Sequence, residues 1–227
     1  MFFIDSGYIM FVLPALILTL WAQFNVSSTY AKYGKIYSRR GMTAEQVARQ
    51  ILDRNGLYQV QIGRVSGNLT DHFNPKTNIV NLSDTTCNST SVAAIGVAAH
   101  EVGHAIQHAK GYLPIKLRNS IVPVVNLASQ AAIPLFLIGL FLNSGMLMDV
   151  GILFFSAAVL FQIITLPVEF NASRRAVAIL ESDYILEDEE VRGAKKVLGA
   201  AAMTYVAAAA MSLAQLLRLL SARGRRD

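Results

Sequence analysis

The segment His100-Glu101-Val102-Gly103-His104 has the residue types and spacing that most directly suggest chemistry in this 227-residue chain. Residues four apart stand one turn apart on the same helical face, so two imidazoles there can bind one zinc ion at about 2.0–2.1 Å each. Glu101 faces the neighbouring sector. From there its carboxylate can take the proton of a water that zinc has made acidic, as that water attacks a carbonyl. Three of the four histidines, His100, His104 and His108, fall on one expected helix, among the small residues Ala98, Ala99, Gly103 and Ala105. Satisfied core histidines are the bland alternative, and the crowding argues against it.

A catalytic zinc normally takes three protein ligands and keeps one position open. His108 continues the four-residue spacing, but it stands about 12 Å from His100 along a straight helix, and one ion cannot bridge all three. It is expected at an interface or in solvent. The third ligand must come from elsewhere. His72 sits in a polar loop, with Asp71 and Asp84 nearby, and Glu169 follows Pro167-Val168 at the end of an uncharged run. The need for an ionised ligand favours Glu169 over His72; an interfacial carboxylate paired with an arginine is the plainer reading of the same residue.

The elements that must position these groups are legible in outline. Thr43 and Gln46 form a capping-box pattern opening a helix through about Asn55, with Gly56 as its stop. Residues 58–65 alternate like a strand, Ser66-Gly67-Asn68 marks a turn, and 71–78 reads as a polar loop around Asn74-Pro75. Asn78-Ile79-Val80-Asn81-Leu82 is a short strand. The zinc-motif helix is expected over 91–110, with Gly111 ending it. The acidic run Glu187 to Glu190 followed by Lys195-Lys196 fits a helix with dipole-complementary ends rather than a metal site.

Composition places this polar region in a membrane protein. Hydrophobic residues make up 53% of the chain and charged residues only 15%, against about 25% charged in ordinary soluble domains. The deficit is concentrated in four blocks: 6–31, 119–148, 150–168 and 197–217. Each can supply the roughly 20 residues of a spanning helix. The first reads as a retained anchor rather than a cleaved signal, since residues 1–7 lack Lys and Arg and carry Asp5. The fourth is Ala-rich and could span, lie in the interface or pack on the polar domain. Eleven of the twenty basic residues lie between Lys32 and Arg118, and Arg174 and Arg175 follow the third block. Both segments are therefore expected in the cytoplasm, with a 143–149 turn outside. A spanning fourth block would carry Arg223, Arg225 and Arg226 outside, against that rule. The net charge of +5 is dispersed and accompanies no nucleic-acid motif. One cysteine, Cys87, excludes an internal disulfide and a multi-cysteine zinc knuckle, and reads as an incidental thiol.

The expected fold class is an α+β membrane protein, mostly helical, with three to four transmembrane helices. Its parts are an anchor (6–25), a polar domain (26–118), two spans (119–168), a polar segment (169–196) and an Ala-rich helix (197–220). An anchor, a small domain ending in Ala-Ala-His-Glu-Val-Gly-His-Ala-Ile-Gln-His, two spans, and then Pro-Val-Glu-Phe-Asn-Ala-Ser-Arg-Arg-Ala resembles the YugP family. That family comprises bacterial membrane proteins classed as neutral zinc metallopeptidases. More distantly the arrangement is similar to the HtpX-type membrane metallopeptidases, in which H-E-x-x-H and a later glutamate bracket two spans and the active site faces the cytoplasm.

The resemblance implies a zincin-like domain, zinc as cofactor, His100, His104 and Glu169 as ligands, Glu101 as base and the bacterial plasma membrane as location. In the HtpX type an aspartate four residues after the ligand glutamate supports the site. Ser173 holds that position here, and Asn171 is polar but not ionised, so support for the histidines is left open between Ser173, Asp183, Asp84 and a backbone carbonyl. His72, Arg174 and Arg175 are candidates for stabilising the transition-state oxyanion; for the arginines a positive-inside role is the plainer reading. Zinc peptidases of this design pair a substrate strand with an edge strand above the zinc helix, and Asn78, Ile79, Val80 and Asn81 are the candidate edge by chain order. An ordinary core strand is the competing reading.

The expected activity is hydrolysis of protein or peptide substrates at the cytoplasmic membrane face. One alternative is an intramembrane protease, although the Leu-Asp-Gly signature of that class is missing (Met148-Asp149-Val150-Gly151 is not one). The other is a zinc-binding non-catalytic scaffold, which would have no use for Glu101.

Overall fold

The computed structural model describes residues 6–224; Asp5, Arg225 and Arg226 lie outside them. A π-helical turn, Tyr8–Val12, leads into α1 (Leu13–Tyr33). There follow α2 (Ala44–Arg54), β1 (Gln61–Val65), β2 (His72–Asn74), β3 (Ile79–Ser83), α3 (Asp84–Cys87) and α4 (Val92–Ala109). Three long helices complete the chain: α5 (Leu113–Phe141), α6 (Gly145–Ser182) and α7 (Asp188–Gly224). The helical content, the small sheet and the four long apolar helices make this an α+β fold of the expected class.

The chain divides into two compact units. One comprises Phe24–Ile115 with Val168–Ala202, and the other Lys116–Pro167 with the residues up to Gln23 and from Met203 onward.

In the first unit local signals act as the sequence suggests. Thr43 Oγ1 accepts from Gln46 N–H while the Gln46 side chain accepts from Thr43 N–H, a complete capping box. Ser91 Oγ accepts from Ala94 N–H and starts α4. Past the end of α4, Gly111 adopts φ +66°, the left-handed conformation that glycine adopts without strain. α4 is apolar almost all round and is buried accordingly. α2, α3, β2 and β3 contact it. On other faces, Ala172 of α6 lies against Gly103 and Ala194 of α7 lies against Gly96.

The sheet differs from expectation in two ways. The segment read as a polar loop contains β2, whose three residues are too few to show alternation. Only Phe73 reveals it, by packing onto the core while its neighbours face away. The strand order is β1-β3-β2, with β3 parallel to β1 and antiparallel to β2. The segment Asn78, Ile79, Val80 and Asn81 is therefore the interior of the sheet and offers no free edge. Val80 and Leu82 are fully buried, as a strand paired on both sides requires.

The second unit holds the apolar stretches of α1, α5, α6 and α7, all long and apolar enough to cross a membrane. Large apolar side chains such as Leu20, Leu127, Leu153 and Ile163 point outward, as lipid-facing residues do. Within this unit α5 and α6 approach closely: a Cβ on Gly151 would stand 2.8 Å from Ala132 O. Phe136, Met148 and Leu219 join α5, α6 and α7 in one cluster. α6 runs unbroken through Pro167, where a boundary was expected between a span and a separate helix. α7 is one continuous helix whose first part packs beside α4 at Ala194 and whose remainder belongs to the apolar unit. Arg223, whose charge counted against a fourth span, pairs with Asp149 at 2.9 Å.

Two glycines make opposite predictions. A Cβ on Gly103 would stand 2.8 Å from the Ala172 carbonyl oxygen and 3.3 Å from its Cα, both backbone atoms. A Cβ on Gly199, in the interior of α7, would meet nothing within 4 Å. Thermal unfolding in detergent should show Gly103→Ala destabilised by about 1–3 kcal/mol through overpacking. Gly199→Ala should be stabilised by about 0.5–1 kcal/mol through helix propensity.

Candidate functional site

Two helices in the first unit bring the candidate ligands together. On α4, His100 and His104 share a face one turn apart. On α6, Glu169 and Ser173 do the same, and the Gly103–Ala172 contact lets the two backbones close until those faces meet. His100 Nε2 lies 3.3 Å from Glu169 Oε2, and His104 Nε2 lies 3.5 Å from the same oxygen. One donor atom from each residue falls within 4.8 Å of the others, and no other such cluster of His, Cys, Asp or Glu occurs among the described residues. Glu169 is only 3% exposed.

The outer ring nitrogens are both engaged. Ser173 Oγ is 3.1 Å from His100 Nδ1, and Gln107 Oε1 is 3.0 Å from His104 Nδ1. Each imidazole thus turns its Nε2 toward the carboxylate. Ligand bonds of 2.0–2.1 Å in a tetrahedron separate the ligand atoms by about 3.3–3.4 Å. The observed 3.3 and 3.5 Å match that edge, so the donor set fits zinc.

Glu101 is buried beside this group and is not part of it. Its Oε2 accepts the Phe73 backbone N–H at 3.0 Å, so the outer edge of β2 is tied to α4 at this carboxylate. Burial pushes the Glu101 carboxyl above the usual range, with His100 and His104 pulling the other way and Glu169 and Asp71 adding to the rise. For His104 burial opposes the charged form, but the hydrogen bond to Glu169 and the charges of Glu101 and Glu169 outweigh it and raise its pKa.

Other candidates are placed elsewhere. His72 lies on the sheet face opposite Phe73, with its ring nitrogens at Thr70 O and Asn81 Nδ2. Asp71 accepts from Ser83 and Thr86, holding the turn into α3. Asp183 pairs with Arg54 at 2.9 Å, away from both histidines. Of the supports left open, Ser173 is the one that reaches a histidine; Asp183 and Asp84 do not. His108 is exposed against the Phe73 ring, at a centroid distance of 5.8 Å. Arg174 is exposed and folds back to Phe170 O. Cys87 is buried, donates to Glu45 and has its pKa raised by burial.

Gln107 is the residue that sequence reasoning missed. It is fully buried, and its signal was present: an amide three residues after His104 and seven after His100, on the helix face that carries both histidines. The Phe73 N–H carried no signal at all, since any residue but proline has one.

Comparison with known proteins identifies the family of the chain. The family model described as "Putative neutral zinc metallopeptidase" matches residues 8–224. The "Putative membrane protease YugP" of Bacillus subtilis (strain 168) is 51% identical over 211 residues, covering 93% of this chain and 94% of that protein. No solved structure matches.

The pKa directions predict a slope. A group whose pKa is higher folded than unfolded binds more protons in the native state, so stability falls as pH rises through that interval. Glu101 contributes from about 4.5 upward and His104 from about 6.5 upward. Chelator-treated protein should therefore melt at lower temperature as pH climbs from 4.5 through neutrality, and Glu101→Gln should flatten the acidic part of that slope. Added zinc should reverse the trend, because it binds the deprotonated ligands.

Proposed function

Because the chain belongs to the zinc metallopeptidase family whose model spans residues 8–224, we propose that it is a multi-pass membrane zinc endopeptidase of the H-E-x-x-H-plus-glutamate kind. In this reading His100, His104 and Glu169 hold the metal and Glu101 is the general base. The observation that carries it is the convergence of two Nε2 atoms on one carboxylate oxygen, with both Nδ1 atoms already engaged from outside.

Zinc in such a set supplies Lewis acidity, polarising a peptide carbonyl and bringing the acidity of water near pH 7. Glu101 takes the proton of the attacking water and delivers it to the departing amide nitrogen. The Phe73 N–H fixes one carboxylate oxygen and with it the orientation of the other. β2, rather than β3, is the sheet edge beside the base, but its outward Phe73 N–H is given to Glu101, so an extended substrate there has only the carbonyl on that side to pair with. Arg174 remains the candidate for the oxyanion; His72 faces away.

The concentration of basic residues between Lys32 and Arg118 supports a cytoplasmic site. The intramembrane alternative loses support, since α4 is not among the helices long and apolar enough to span and is covered by α2 and the sheet.

Two measurements test the reading. Purified Glu101→Gln should keep its zinc and lose at least about 100-fold in cleavage of an unfolded protein substrate, while Glu169→Ala should lose zinc as well. Equal cleavage by Glu101→Gln would favour the scaffold alternative. For orientation, Ser144→Cys in a Cys87→Ser background should react with a membrane-impermeant maleimide on intact cells, and Lys110→Cys should not.

A further inference from the structure

Gln107 Nε2 donates to Val168 O at 2.8 Å and to Asn171 Oδ1 at 3.0 Å, which uses both of its amide hydrogens. Asn171 Oδ1 also accepts from Arg175 Nε at 2.7 Å. The direction of this chain follows from chemistry alone. An arginine Nε–H can only donate, so the Asn171 atom facing it must be oxygen. The Gln107 atom facing that oxygen, and facing a main-chain carbonyl as well, must be the amide nitrogen. A flipped Gln107 would set its oxygen against two acceptors in a site with 0% exposure. Its oxygen therefore points at His104 Nδ1, 3.0 Å away, and that nitrogen must carry the proton.

From this we propose that Arg175, Asn171 and Gln107 act as positioning residues that fix the His104 tautomer before metal arrives, keeping Nε2 bare and aimed at Glu169. The inference rests on the reading of His104 as a zinc ligand. It adds that α6 contributes more than Glu169 and Ser173: through Val168 O and Asn171 it also sets which nitrogen of the α4 imidazole can bind metal. A bare Nε2 and a carboxylate oxygen facing each other at 3.5 Å repel unless a proton or a metal ion lies between them, so in the neutral ring the chain leaves Nε2 as the nitrogen that takes up the cation. His100 is set differently, by a serine hydroxyl that can donate or accept. The polarity is imposed at His104 alone.

The test uses full-length protein in detergent with ring-¹⁵N-labelled histidine, of which the chain has four. In metal-free wild-type protein, at a pH where His104 is neutral, its proton should reside on Nδ1. A proton on Nε2, or a mixture of tautomers, overturns the proposal without any variant. In Gln107→Met, similar in length and unable to hydrogen-bond as an amide, that preference should disappear and zinc affinity, measured by chelator competition, should fall about 10–100-fold. Asn171→Asp still accepts from both Arg175 and Gln107 and should keep the tautomer and near-wild-type affinity. Wild-type affinity in Gln107→Met alongside lost affinity in His104→Ala sinks the polarity chain and leaves His104 a ligand. Wild-type affinity in both removes the reading beneath it.

Discussion

The backbone contact between α4 and α6 governs the rest. Gly103 and Ala172 touch where any larger residue at 103 would push the helices apart. At that separation, two pairs of residues spaced four apart, one pair on each helix, face one another as His100, His104 and Glu169, Ser173. Helical periodicity does the remaining work: Gln107 lies one turn further along α4, at the level of Val168 and Asn171. Each polar side chain in this seam finds its partner on the other helix, so the crossing is specified by hydrogen bonds as well as by small-residue packing.

The same seam concentrates charge. Glu101 and Glu169 are both buried, and burying an ionised carboxylate without a counter-charge is costly. The neighbours that hold the histidines, Ser173 and Gln107, are neutral where a carboxylate would have added a further negative charge. On the proposed ligand set, two carboxylates with neutral imidazoles would balance one divalent cation. Without the cation, a raised proton affinity at Glu101 and His104 partly fills its role. On that proposal, metal binding and fold stability would be linked at one place, with protons and metal competing for it.

Much of this was legible because the signals were local. The capping box at Thr43, the cap at Ser91, the stop at Gly111 and the shared face of His100 and His104 each depend on residues within one or two turns. Uncharged runs announce long apolar helices for the same reason. What could not be read depends on partners distant in sequence. β3 is interior because β2 pairs with it, and β2 is three residues with one apolar side chain. Pro167 reads as a boundary, yet α6 continues through it, because neighbouring helices can make good the hydrogen bond that proline omits. Ser173 was noticed for its position and Gln107 was not noticed, although both perform the same office. Only the crossing with α6, 61 residues away at Val168, gives the amide its meaning.

Chain order adds a constraint on how such a site assembles. His100 and Glu169 are 69 residues apart, and the intervening chain consists mainly of α5 and the apolar part of α6. The motif helix can form as soon as Ser91 and Gly111 have been made, and it can bury its apolar faces on α2 and the sheet. It cannot complete the proposed ligand set by itself, because Glu169 lies within α6, beyond two stretches apolar enough to cross a membrane. On that reading the site can close only once α5 and the apolar part of α6 have been made, so the third ligand becomes available only after both apolar stretches have been synthesised.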